Sequence, residues 1–359
     1  MKIGLFPYGN QQNPYQQLIK EALESSGLEV VPLYKSRWKF LSFFQLLRTD
    51  VEVIHFFWPH DFYIGHGKFA TLFKRIAFVL SSWVLSRRKL VYSVENLVSH
   101  EAHSALEIKA EKFWIQKMVK RSDAIVCMSK ASLQLFQAHY QIKKNAITAV
   151  VPHVNYLSVY QNNITQAEAR RKLNVSEEAR VLLSLGRINR YKGLDSLIAG
   201  FKRVATSDSD VLLIAGKCTD DALLNELKEI ILSPGKGRVI IENRFVAESE
   251  LQYYFNASNG VVLNYTDEPM NPGSIVMAMG YACCIMAPEK EVLKELVPSA
   301  ALFSYKELDQ ADLEKTIQHF FNSQVLTKLG LLCKERVETV HAPQKVAQVL
   351  KTVYESIVK

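Results

Sequence analysis

The sequence predicts an α/β protein built from two doubly wound units that face each other across a cleft. Three observations carry that expectation. The chain has 359 residues, more than a single hydrophobic core usually serves, so two domains are favoured. Short apolar runs alternate with longer helical patterns, which is the order of parallel strands joined by crossover helices. The alternation breaks over residues 151–163, a stretch rich in Pro, Asn and Tyr, and then restarts. The expected division is residues 1–155 and 156–343, with a last helix over 344–359 packing back on the first unit.

In the first half, Ile3–Phe6, Val51–Phe57, Leu90–Val94 and Ala124–Met128 read as strands, being short, apolar and rich in β-branched and aromatic residues. Tyr15–Ser26, Phe69–Leu85 and Leu106–Arg121 repeat apolar residues at helical spacing. In the second half the strands expected are Val181–Leu185, Val211–Ala215, Val239–Ile241, Gly260–Leu263 and Cys283–Ala287, and Gln344–Val358 is the final helix. Ligands of such sheets bind beyond the carboxyl ends of the strands, so the loops that follow strands are the informative ones.

The composition, 48% hydrophobic and 22% charged, excludes a disordered tail, a collagen-like repeat and a disulfide-stapled miniprotein. Five cysteines, Cys127, Cys218, Cys283, Cys284 and Cys333, form neither a CxxC pair nor a metal-spaced cluster, and read as buried thiols of a reducing compartment. The start, Met1-Lys2-Ile3-Gly4-Leu5-Phe6, reads as a strand and lacks the layout of a secretory signal. The longest apolar run, Ile76–Leu85, is too short to span a bilayer. A cytoplasmic location is expected. Charge is uneven: residues 1–150 hold 20 Lys+Arg against 11 Asp+Glu, the rest 24 against 25. A basic first half implies an anionic partner.

Two loops carry chemistry. In Leu183-Ser184-Leu185-Gly186-Arg187-Ile188-Asn189-Arg190-Tyr191-Lys192-Gly193, a strand ends, Gly186 permits a sharp exit, and Arg187 and Lys192 precede a helix start. Free N–H groups and the dipole of that helix, with a guanidinium and an ammonium beside them, suit a dense anion such as diphosphate. One basic pair alone reads as a solvated turn; the strand–Gly–Arg–x4–Lys–Gly–helix setting changes that. The second loop, Asn264 to Ser274, also leaves a strand and opens a helix at Gly273-Ser274, where backbone and hydroxyl can meet phosphate.

Several segments together resemble a known family. Gly186-Arg187 with Tyr191-Lys192-Gly193, Asn243-Arg244-Phe245-Val246 with Leu251-Gln252-Tyr253-Tyr254-Phe255, and Pro272-Gly273-Ser274 look like the donor-binding domain of GT-B glycosyltransferases, close to glycosyltransferase family 4. Val53-Ile54-His55-Phe56-Phe57-Trp58-Pro59, Tyr92-Ser93-Val94-Glu95-Asn96-Leu97 with His100-Glu101, and Val151-Pro152-His153-Val154-Asn155-Tyr156 are similar to the acceptor half of bacterial exopolysaccharide and lipopolysaccharide sugar transferases. The resemblance covers nearly the whole chain. It implies the GT-B fold of two Rossmann-like domains, with acceptor binding in residues 1–155 and nucleotide-sugar binding in 156–343.

The resemblance also implies roles. Arg187 and Lys192 hold the diphosphate of a nucleotide sugar without a metal, and no other cofactor is implied. Gly186, Asn271, Pro272, Gly273 and Ser274 complete the donor site, and Arg244, Phe245 and Val246 meet the nucleobase, mainly through backbone. Gly9, Asn10, Tyr15 and His60 lie on the acceptor side. An inverting reaction needs a base toward the acceptor hydroxyl, for which Glu95, His100 and His60 are candidates; a retaining one needs no strong base. Two departures stand out: a His is common where Glu95 stands, and of two Glu residues usual eight positions apart, the second is replaced by Met277 and the first falls at Pro269, beside Glu268.

The function expected is therefore transfer of a sugar from a nucleotide-diphosphate sugar to a growing, lipid-linked glycan in exopolysaccharide, capsule or lipopolysaccharide synthesis. The alternative is a non-catalytic subunit of the same fold that binds nucleotide sugar or a partner. An epimerase acting without acceptor is a third reading. The basic half suits an anionic membrane at the inner face of the cell membrane. Residues 35–44 interleave cations with large aromatics, and Phe69, Leu72, Phe73, Ile76, Leu80 and Trp83 form a stripe flanked by Lys and Arg, although a stripe of that kind also suits a core. No nucleic-acid module accompanies these charges. The pair Asp208 and Asp210 precedes a strand, at the sheet end away from the ligand, so it is not read as a metal site.

Overall fold

The computed structural model describes residues 1–9, 13–34, 49–57, 88–98, 105–264 and 270–359. By contacts it divides into two compact units: Met1–Val154 with Met270–Pro272 and His341–Lys359, and Asn155–Pro269 with Gly273–Val340.

The first unit holds six parallel strands in the order β2-β1-β3-β4-β5-β6, comprising β1 Lys2–Tyr8, β2 Glu29–Tyr34, β3 Val53–Phe56, β4 Lys89–Ser93, β5 Ala124–Cys127 and β6 Ile147–Val150. Its described helices are α1 Tyr15–Ser25, α2 Ala105–Arg121, α3 Lys130–His139 and, after the whole second unit, α12 Pro343–Val358. Strand β2 was not expected. Its Pro32 lacks a ladder donor, which only an edge strand tolerates, and β2 is the edge. The expected helix Phe69–Leu85 lies outside the described residues. Helix α3 begins on a capping box between Ser129 and Ser132.

Helix α12 starts with Pro343 at its first turn, where a missing N–H costs nothing, and buries Val346, Leu350, Val353, Tyr354 and Ile357. The Tyr354 hydroxyl meets His55 Nδ1 at 2.7 Å, and His55 Nε2 meets Ser93 Oγ at 2.7 Å, so β3, β4 and α12 share one buried polar link. Burial pushes His55 and His153 down to about 3.

The second unit is also six parallel strands, in the order β12-β11-β10-β7-β8-β9. They are β7 Arg180–Leu185, β8 Asp210–Ala215, β9 Arg238–Glu242, β10 Gly260–Val262, β11 Cys284–Pro288 and β12 Leu302–Tyr305. The described helices are α4 Gln166–Lys172, α5 Leu194–Val204, α6 Asp221–Ile231, α7 Leu251–Ala257, α8 Gly273–Gly280, α9 Glu291–Leu296, α10 Gln310–Asn322 and α11 Leu326–Val340. Alternation along the strands fills both faces. Val181, Leu183, Val211 and Leu213 point into one apolar cluster, and Leu182, Leu212 and Ile214 into the other. All five cysteines are free and buried.

Strand order reverses between β7 and β10, which are hydrogen-bonded neighbours. A crevice opens beyond the carboxyl ends at such a reversal, and both loops singled out in the sequence leave these two strands. The expected two-unit parallel α/β fold is thus the observed one.

Candidate functional site

In the second unit the first loop starts at Leu185. Gly186 takes φ +105°, and Gly216, leaving β8, takes φ +153°. A Cβ on Gly216 would lie 2.1 Å from the Gly186 carbonyl oxygen, so the two backbones touch where side chains would stand. The Ile188 N–H donates to Lys217 O at 3.0 Å and continues the pairing past the strand ends. One turn of 3₁₀ helix, Arg190–Lys192, then leads to Gly193, whose φ of +53° caps α5.

The three cations of this loop have different fates. Arg190 forks onto Glu226 at 2.9 and 3.0 Å and reaches Asp220 at 3.2 Å, so it belongs to α6. Lys192 is 5% exposed; its Nζ donates to Leu185 O at 3.0 Å, and desolvation lowers it to about 8. A Cβ on Gly186 would come within 3.2 Å of that ammonium. Arg187 is exposed and makes no ion pair among the described residues. Beside them the free N–H groups of α5 begin. A desolvated ammonium, an exposed guanidinium and a helix N-terminus are the groups from which anion sites are built.

The second loop is described only from residue 270. Ser274 is exposed on the first turn of α8, next to Gly273. Asn271 and Pro272, expected in the second unit, group instead with the first, because Met270 is buried in the first unit's core and the Asn271 side-chain amide donates to Glu95 Oε2. Met277 packs against the apolar cluster of its unit.

The side chain of Arg244, expected at the nucleobase mainly through its backbone, is engaged within its own unit. It forks onto Glu250 at 2.7 and 2.9 Å, meets Glu242 at 3.3 Å and donates to the Tyr254 hydroxyl at 2.7 Å. Those contacts hold the turn after β9, leaving its backbone and Phe245, 77% exposed, to face outward, with Val246 half-buried.

In the first unit Glu95 stands two residues past β4, 4% exposed. Burial raises its carboxyl to about 8 against the opposing Asn271 hydrogen bond. Its Oε1 has no hydrogen-bond partner among the described residues. Gly9, at φ +117°, is exposed after β1. Tyr15 is core: its ring is 4% exposed, 4.5 Å from His153 and 6.1 Å from Phe57. Asn10, His60 and His100 lie outside the described residues, as do residues 35–44. Asp210 accepts from the Thr206 and Ser207 N–H groups and pairs with Arg180 at 2.6 Å, at the amino end of β8. Asn264, which opens the second loop and had no role assigned from sequence, donates its amide to Gly193 O at 2.6 Å; a polar residue just past a short apolar strand was the available signal.

Residues 165–334 match the family model described as glycosyl transferases group 1. Mannosylfructose-phosphate synthase of Agrobacterium fabrum is 26% identical over 179 residues, 47% of this chain and 39% of that protein. Alpha-monoglucosyldiacylglycerol synthase of Streptococcus pneumoniae is 25% identical over 161 residues, 44% of this chain and 35% of that one. The chain thus matches well under half of either relative's length. Among solved structures, sucrose-phosphate synthase from Thermosynechococcus elongatus superposes with TM-score 0.71 at 18% identity over 99% of both chains. Anabaena HepE, in complex with UDP and glucose, gives 0.72 at 15% identity over 99% of this chain and 100% of that one. Strand order and these likenesses converge: residues 165–334, just under half of the chain, match the glycosyl transferases group 1 model, and the chain has the two-unit parallel α/β fold of these GT-B structures.

Proposed function

We propose that the protein transfers a sugar from a nucleotide-diphosphate sugar to a growing, lipid-linked glycan in exopolysaccharide, capsule or lipopolysaccharide synthesis. The single observation that carries this is Lys192, its ammonium desolvated against the Leu185 carbonyl at the strand reversal, with exposed Arg187 on the same loop. Cleaving the anomeric C–O bond puts negative charge on the leaving diphosphate. A cation already stripped of water stabilises that charge with little reorganisation, and Arg187 closes on it. Gly273 and Ser274 add backbone and hydroxyl donors. Two cations and two helix N-termini meet the need that a metal ion would otherwise meet, so the transfer is metal-independent. UDP in the HepE structure makes UDP-sugars the first donors to try.

Glu95 keeps its proton at neutral pH, since burial lifts it to about 8. With Oε2 accepting from Asn271, the proton resides on Oε1. A neutral carboxyl is no base, which suits a retaining course in which a leaving phosphate oxygen takes the acceptor proton. The lipid-linked acceptor is supported by the diacylglycerol named in one relative and by the basic first unit, read as resting on the inner face of the cell membrane. Among the described residues no helix is long and apolar enough to cross a membrane.

The test is turnover of UDP- and GDP-sugars with a lipid-linked acceptor. Arg187→Ala and Lys192→Ala should each slow it roughly 10²–10³-fold. An active protein indifferent to both changes overturns the reading. Met277, apolar where the family has a carboxylate, favours the second reading, a nucleotide-binding subunit without transfer. That reading predicts UDP binding with no product from any donor and acceptor pair.

A further inference from the structure

We infer that Asn264 and Tyr305 are positioning residues for the diphosphate loop, acting on the Gly193 peptide that joins the Lys192 turn to α5. The inference rests on the functional reading above and deepens it. Asn264 follows β10 by two residues. Its Nδ2 donates to Gly193 O at 2.6 Å, and its Oδ1 accepts from the Tyr305 hydroxyl. Tyr305 ends β12 and is 2% exposed; β11 runs between it and β10. Because the Tyr305 O–H donates to one end of the Asn264 amide, the NH₂ end is turned toward Gly193.

The Gly193 carbonyl is the first acceptor of α5. It takes the Leu197 N–H at 3.2 Å and the Ser196 hydroxyl at 2.9 Å as well as Asn264. Three donors on one oxygen fix that peptide plane. Gly193 needs fixing: it sits at φ +53°, where glycine moves freely between wells, and a Cβ there would lie 2.6 Å from Asn264 Nδ2. The plane sets the direction of the free N–H groups at the start of α5 and the departure of the Lys192 stem one residue earlier. The strand-end relay Tyr305–Asn264–Gly193 thus holds the ammonium and the helix start in one arrangement before an anion arrives. Preorganisation of this kind is felt as affinity for the leaving group.

The test measures Kd for UDP and GDP by titration calorimetry on the full chain, with kcat and donor KM from turnover. Asn264→Ala should weaken nucleotide binding and raise donor KM about tenfold, the effect of one lost hydrogen bond of about 1.4 kcal/mol. Tyr305→Phe, which removes one oxygen and keeps the ring, should act in the same direction and more weakly, with kcat falling less than KM rises. The double variant should bind no worse than Asn264→Ala alone, since the hydroxyl acts only through the amide. A purely structural role would lower melting temperature and leave Kd and KM unchanged, which overturns the inference. Lys192→Ala separates the two failures. If it weakens binding while Asn264→Ala and Tyr305→Phe bind as the parent does, this inference falls alone; if it too leaves binding intact, the functional reading falls with it.

Discussion

Lys192, proposed to bind the diphosphate, carries a cost in its own fold. Taking its ammonium out of water lowers it to about 8, against an ordinary lysine near 10.5. Between those values the unfolded chain binds a proton that the native chain does not, so stability rises with pH there. Below pH 8 the native state carries a buried charge at a cost of up to about 3 kcal/mol. Lys192→Met should therefore be more stable than the parent at pH 7 and abolish nucleotide binding. Its advantage should shrink as pH climbs from 8 toward 10.5. Urea melts at pH 7 and 9.5 check this, and an advantage that grows with pH would sink it. The sequence made Lys192 and Arg187 visible because cations on a strand exit before a helix have few other uses. It did not show that Arg190, between them, is held by Glu226 on another helix, or that Arg244 is held by Glu250. Such pairings depend on tertiary placement. Nor does any local pattern reveal that Tyr15, after a polar loop, turns its ring into the core.

At the scale of elements, α2 carries a surface of its own. Lys109, Lys112, Phe113, Lys117 and Lys120 are exposed, with Phe113 54% exposed and the Lys117 ammonium 5.2 Å from its ring centroid. At 100° per residue these five fall within an arc of about 140°, and neither Glu107 nor Glu111 lies in it. A cationic face with one aromatic at its centre suits anionic headgroups. In flotation assays the protein should bind phosphatidylglycerol vesicles and not phosphatidylcholine ones. Lys112→Glu with Lys117→Glu should weaken binding about tenfold or more, at about 1 kcal/mol per lysine removed, with loss also at high salt. Unchanged flotation would refute the surface. A second element-scale prediction concerns α11, whose Gly330 lies so close to the turn after α8 that a Cβ would come 1.8 Å from Ala282 O. Gly330→Ala should cost about 1–3 kcal/mol or more, read as a lower urea midpoint. The elements most legible in the sequence were those like β4 and β5, short apolar runs bounded by polar residues. Strand β2 escaped because Pro32 argues against a strand until its edge position is known. Helix α8, buried along most of its length, has no polar face to give it a period, and its expected start at Gly273-Ser274 came from turn chemistry instead.

At the scale of the molecule, the two units differ in how they meet acid. Besides the buried His341, the first holds two histidines shifted by burial, His55 between Tyr354 and Ser93, and His153, whose Nδ1 lies 2.6 Å from Val154 O. Both are held near 3 by burial, far below an unfolded histidine at 6.5. A group depressed on folding leaves the unfolded chain holding the extra proton between the two values, so stability falls as pH drops from 6.5 toward 3. At pH 5 each contributes a loss of about 2 kcal/mol, and the two together about 4, whereas Glu95 of the same unit, raised to about 8, returns about 3 between pH 7 and pH 5. Both of these lowered histidines belong to the first unit. Calorimetry of Glu95→Gln, in which the opposing carboxyl is gone, should therefore show between pH 7 and pH 5 one transition that moves strongly with acid and one that does not. UDP at 100 times its dissociation constant should raise the acid-insensitive transition by about 2.7 kcal/mol, since the Lys192 loop proposed to bind it belongs to that unit. His55→Gln, which keeps a neutral side chain able to bond Ser93 and Tyr354, should reduce the acid shift by about half. If UDP raises the acid-sensitive transition instead, or the shift persists in His55→Gln with His153→Gln, then acid sensitivity and nucleotide binding are not divided between the units as the buried histidines and the Lys192 loop require.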